Sequence, residues 1–252
     1  MRKFALIALL SVAPLHAMPQ SGSFIIAQHG HSVGTATVTF SANPHGYDTT
    51  TVVRVAMQDL NYNLSKSEQL TSANAIQHVQ LSATVNTSAV NVTAAPDAAQ
   101  LLLNISANGR SNTTRLARHD AAVFLPDFDP GALDTLLALG VTRNNAGLWA
   151  VIPKGVGSVA PIQLATYADE KGTLDGNPIT VHHLKATISG AVTDIFSGPR
   201  NQLLQAELPQ QGFAIIRKGF VLTPPARPGA PPAAQPAPAQ SAPVPPAAPT
   251  QQ

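Results

Sequence analysis

Cysteine is missing from all 252 residues. No disulfide, thiolate-built zinc site or cysteine nucleophile is therefore available, and stability has to come from an ordinary core. Charge is sparse too: charged residues make up 11% of the chain, and no basic cluster is interleaved with aromatics. That pattern argues against nucleic acid or an anionic membrane surface as partner and favours a non-ionic or apolar one. Beyond the first residues no stretch approaches the roughly 20 consecutive apolar residues of a membrane-spanning helix. The expectation is a protein that does not span a membrane.

The beginning of the chain carries a different signal. Met1-Arg2-Lys3 is basic, Phe4 to Val12 is almost wholly apolar, and Pro14-Leu15-His16-Ala17 offers a small residue for cleavage after Ala17. This order predicts a secretory signal peptide over residues 1–17 and a periplasmic or secreted location. Arg2 and Lys3 would leave with the signal, so the formal net charge of +2 falls to zero in the remainder. At the other end, residues 223–252 turn to Pro, Ala and Gln with almost no charge. Such a composition cannot build a core and predicts an extended, disordered Pro/Ala-rich tail.

Between these ends, residues 22–222 read as one antiparallel β-domain. Gly34, Ala36, Val38 and Phe40 alternate with threonines, and Val79, Leu81, Ala83 and Val85 alternate with polar residues, the period of a half-buried sheet. Turn residues such as Asn43-Pro44-His45-Gly46 and Asn108-Gly109-Arg110 separate the runs. Roughly a dozen strands result, more than one flat sheet accommodates, so the sheet must curl, split or close. At His182-His183 the apolar phase flips from odd to even positions. A β-bulge there would return the apolar side chains to the core.

One segment departs from this alternation. Asp129 can cap a helix, Pro130 suits its first position, Asp134 lies near the positive end of the dipole, and Gly140 supplies a stop. A helix is predicted over about 130–139, with Leu133, Leu136 and Leu137 on one face and Leu139 beside them. The fold class expected is all-β and predominantly antiparallel: a large curved sheet, half-barrel or open barrel, with one short central helix as lid or plug.

Three groups of residues are candidates for chemistry. Gly30-His31-Ser32-Val33-Gly34 matches the nucleophile elbow of serine hydrolases, but that mechanism needs a strand-to-helix turn and an oxyanion loop. The residues after Ser32 alternate as a strand, which reads instead as a hairpin whose glycines permit the turn and close packing. His29 and His31, with His182 and His183, form two pairs that would have to meet to hold a metal, and no carboxylate is evident to complete the shell. They read as turn and surface histidines, and no metal or cofactor is expected. Asp127 and Asp129 resemble a paired carboxylate but serve better as a loop residue and the helix cap.

The hairpin around Gly30 and Gly34, the long meander, the Leu-rich helix and the closing segment Leu208-Pro209-Gln210-Gln211-Gly212-Phe213-Ala214-Ile215-Ile216-Arg217 together resemble exported bacterial β-domains of uncharacterised function. In architecture the chain also resembles the periplasmic half-barrel lipoprotein carriers, LolA- and LolB-like, over about residues 22–222. It departs from them in having one short central helix. The resemblance implies a concave apolar face, partly covered by the helix, that binds a lipid or other hydrophobic small molecule without enzymatic activity. The residues expected to contact such a ligand are Leu133, Leu136, Leu137 and Trp149. Two alternatives stand beside this: a structural or protein-interaction module with a filled core, and a serine hydrolase using Ser32.

Overall fold

The computed structural model describes residues 19–224. The expected signal peptide (1–17) and nearly all of the expected tail lie outside the described residues. Seventeen strands and one helix make up the rest. The first half is a meander of β1 (Gly22–Gln28), β2 (His31–Asn43), β3 (Gly46–Ala56), β4 (Asn61–Thr71), β5 (Ile76–Val85), β6 (Ser88–Asp97), β7 (Gln100–Ala107) and β8 (Arg110–Ala117). The short β9 (Ala122–Phe124) leads to α1 (Pro130–Arg143). Then follow β10 (Leu148–Ile152), β11 (Ser158–Thr166), β12 (Glu170–Leu174), β13 (Asn177–Ile188), β14 (Ala191–Ser197), β15 (Leu203–Leu208), β16 (Phe213–Arg217) and β17 (Phe220–Leu222).

Backbone pairing joins β8 back through β2 to β1, then β16, β15, β14, β13, β11, β10 and β9. Every pair is antiparallel except β9 with β10. So many twisted strands cannot stay flat. The sheet curls until Thr114 Oγ1 on β8 donates to the carbonyl of Val156 at 2.7 Å, yet no backbone ladder closes it into a barrel.

Helix α1 fills the inside of this curl. Its residues from Pro130 to Gly140 are all buried, including Asp134 and Thr135. It is a plug surrounded by β2, β3, β9, β10 and β15, rather than a lid with one wet face. Full burial of leucines such as Leu136 and Leu139 stabilises by about 1.5–3 kcal/mol each. The helix also runs past its expected end. Gly140 stays helical, close to Leu164, and the helix stops at Asn144, whose φ of 50° is left-handed. Asparagine tolerates that conformation, and because residues 141–143 are exposed the added turn is closed locally, by the Asn144 and Asn145 N–H groups donating to the Val141 and Gly140 carbonyls.

The flip at His182-His183 is not a bulge, because β13 pairs with β14 in unbroken register there. The strand serves two cores on opposite faces. Val181 and Ile179 pack with Phe196, Leu204, Phe220 and Leu222 in a small outer core, whereas Leu184, Ala186 and Ile188 face the main core around α1. Neighbouring strands divide in the same way: Ile195, Leu203 and Ile215 point inward, Phe196, Leu204 and Ile216 outward. The outer core is roofed by β12 and β17, which pair with each other. In β13 the period of two therefore held, and what changed was which face had something to bury against; in β15 a register shift against β14 moves Leu204 outward while Ala206 stays inward.

Candidate functional site

The concave face holds two apolar cavities separated by a strap. Leu125 to Phe128, with Pro126 buried and Asp127 exposed, leads into α1 and lies beside the segment 153–155 that follows β10. Lys154 Nζ pairs with Asp127 Oδ1 at 2.8 Å, and Tyr62 Oη donates to the Asp127 carbonyl at 3.4 Å. Phe128 anchors the strap from within, edge-on to Tyr62 at 5.8 Å and to Phe213 at 4.9 Å. Its φ of 56° places a bulky aromatic in left-handed backbone, a conformation costing on the order of 1–3 kcal/mol that surrounding contacts must hold in place.

On one side of the strap a cavity of about 170 Å³ is lined by Leu133 and Leu136 of α1 and by Ala186, Ile188, Leu208 and Ile215 of the second half of the sheet. On the other, a trough of about 340 Å³ runs over β4 to β7, lined by Tyr62, Leu81, Ala83, Val90, Val92 and Ile105. Pro126, Asp127 and Lys154 border both. The strap's ion pair thus sits where the two spaces meet. Burial raises the Tyr62 hydroxyl well above its ordinary range, with help from Asp127 and Asp129, so it stays a neutral donor.

Of the four ligand-contact candidates, Leu133 and Leu136 face the smaller cavity. Leu137 is buried in the main core, away from either space. Trp149 stacks on His119 with ring centroids 3.8 Å apart, at the edge of a wider, open and polar depression of about 570 Å³ that also takes in Arg118, Asp120 and Arg143. Charged walls open to solvent suit an apolar guest less well than the two interior spaces.

Ser32 lies exposed in the β1–β2 hairpin, paired with Ala27 beside a register shift. A strand, not a helix, follows it. Gly34 is required by close packing, since a Cβ there would collide with the carbonyl oxygen of Arg54 on β3. The two histidine pairs have separate surroundings. His182 Nδ1 meets Asp169 at 2.9 Å. His183 lies between Glu170 (3.2 Å) and Asp194 (3.0 Å), stacked on Phe196. No group of three or more metal-ligating side chains is arranged to hold an ion among the described residues.

A buried ionic cluster under the helix N-terminus is what sequence reasoning missed. Lys66 and Glu68 on β4 and Thr49 and Thr51 on β3 all point inward and are at most 3% exposed. The register places Thr51 opposite Lys66 and Thr49 opposite Glu68. Lys66 Nζ lies 2.9 Å from Glu68 Oε2 and 2.6 Å from Asp129 Oδ2. The other oxygen of Asp129, Oδ1, accepts from the backbone N–H of Gly131 (2.8 Å) and Ala132 (3.2 Å). Gly131 lets the helix start approach β3 this closely, for a Cβ there would sit 2.7 Å from Thr51 Oγ1.

One cation serves two carboxylates, so the ionised cluster carries a buried net negative charge. Burial pushes the Glu68 carboxyl up, against the pull of Lys66. Burial also works to lower Lys66, but the Asp129 and Glu68 carboxylates outweigh it and raise the ammonium above its ordinary range. Asp134, one turn along α1, accepts from Leu203 N–H at 2.7 Å and is pushed up to about 7 by burial. Its charged neighbour Arg217 stands 3.9 Å away, too far to offset that cost, and is itself lowered by burial.

No helix among the described residues is long and apolar enough to cross a membrane. Comparison with protein-family models, curated proteins and solved structures returned no match.

Proposed function

We propose that this chain is an exported, non-enzymatic β-domain that binds an apolar or amphiphilic small molecule, such as a lipid acyl chain, on the concave face of its sheet. The observation carrying this reading is the pair of apolar cavities flanking the 125–128 strap, one under α1 and one over β4 to β7. The trough is of the size that small-molecule sites occupy, roughly 300 Å³ upward, and aliphatic side chains form most of its wall. Lys154 and Asp127 place polar groups at the junction, where a ligand's head would be oriented. This is also what the resemblance to half-barrel carriers implies. The Ser32 hairpin, which lacks a helix behind the serine, supports the non-enzymatic part.

A second reading, a structural or interaction module, is favoured by the burial of α1 on every side. Titration with a fluorescent long-chain fatty acid separates the two. Saturable binding by the wild type, weakened at least tenfold in Ala83→Trp, supports the carrier. Absence of saturable binding leaves the module.

A further inference from the structure

The cluster under α1 has the parts of a condensation site, and we propose that Lys66 and Asp129 join spontaneously into an intramolecular amide, with Glu68 moving the protons. The inference does not depend on ligand binding.

The geometry supplies each part. Asp129 Oδ1 is pinned by two backbone N–H groups at the positive end of a helix, so the carboxyl is polarised and the charge that develops on this oxygen during attack meets donors already in place. Its Oδ2, the oxygen to be expelled, is in contact with Lys66 Nζ at 2.6 Å but without hydrogen-bond alignment. Glu68 Oε2 lies 2.9 Å from the same Nζ, within reach to take a proton, while its Oε1 has no partner. All three side chains are at most 2% exposed. Nucleophile and electrophile are thus held together in a site without bulk water, where effective concentrations are very high and hydrolysis of the product is disfavoured.

The step balances within the triad. Lys66 passes one proton to Asp129, which converts the ion pair to an amine and a carboxylic acid without changing the net charge. The strong pairing of the ammonium opposes this transfer, and the cost of keeping charges dry favours it. The Nζ lone pair then attacks Asp129 Cγ, and Glu68 takes a proton from the nitrogen. As the tetrahedral centre collapses, the carbonyl re-forms at Oδ1 and the Cγ–Oδ2 bond breaks. Glu68 returns its proton to the departing hydroxyl, releasing one water and regaining its carboxylate. No oxidant or co-reactant is needed. The product ties β4 to the start of α1 by side chains, in a chain that has no cysteine to do so.

Mass spectrometry of the purified full chain tests this. The expected protein is lighter than its own sequence by one water, read against its determined N-terminus. After denaturation, trypsin should fail to cut after Lys66. The map should contain one branched species joining residues 55–110 to 119–143 in place of the separate peptides. Glu68→Gln should restore the full mass and cleavage after Lys66. If that variant does not fold, the wild-type map alone decides. Full mass with free cleavage after Lys66, or loss of water without the branched peptide, would overturn the proposal.

Discussion

Lys66, in the middle of β4, and Asp129, the cap of α1, meet with 2.6 Å between Nζ and Oδ2, and neither side chain reaches solvent. The contact joins the sheet to the plug that fills it. It also fixes the start of the helix, because the same aspartate satisfies two N–H groups that the first turn would otherwise leave unpaired in the core.

Lys66→Met should therefore destabilise strongly although methionine fills similar space. The substitution leaves Glu68 and Asp129 buried without a cation, a situation that typically costs about 3–5 kcal/mol. Chemical denaturation should show that loss. Adding Glu68→Gln to Lys66→Met should recover part of it, since one of the two stranded charges is removed.

Asp134 predicts a dependence on pH. Its folded-state value of about 7 lies above the ordinary 3.8, so the folded protein holds a proton that the unfolded chain has released. The contribution is fully present below about pH 4, falls as pH rises toward 7, and is level above that, for a total on the order of 4 kcal/mol at most. Asp134→Asn keeps an acceptor for Leu203 N–H but cannot ionise. Relative to the variant, the wild type should lose melting temperature from pH 4 to pH 7. Parallel curves across that range would contradict the assignment.

The leucines of α1 should divide by what they face. Leu137→Ala, in the packed core, is expected to cost about 2–5 kcal/mol. Leu133→Ala, which enlarges a space already partly empty, should cost less and change affinity for apolar probes. Thermal melts with and without a fatty-acid probe measure both effects.

A strand that alternates, such as β5 with Val79, Leu81, Ala83 and Val85 on one parity, was legible in the sequence. Glu170–Leu174 was not, because β12 carries charge and glycine with no alternation and is recruited by its partners β13 and β17. The phase flip in β13 was visible, but a second core on the other face of the sheet cannot be inferred from one strand. Asp129 as cap followed from local chemistry, while the end of α1 was misplaced because Gly140 reads as a stop although the cap that closes the helix is the left-handed Asn144 one turn later. The ionic cluster left a signal that could have been read. In β4 the inward phase runs Tyr62, Leu64, Lys66, Glu68, Leu70, and in β3 Tyr47, Thr49, Thr51, Val53, Val55, with polar residues interrupting the same stretch of both. What no pattern along the chain reveals is that Asp129 lies above that interruption.

The central claim is that the space on either side of the strap receives an apolar chain. Methyl NMR during titration with a monomeric medium-chain fatty acid tests it most directly. The account predicts saturable shifts at Leu81, Val92, Ile105, Leu133 and Leu136, which border the two cavities, with Leu204 in the outer core unchanged. Unchanged cavity methyls at saturating ligand, or shifts confined to exposed residues such as Val156 and Val221, would contradict it.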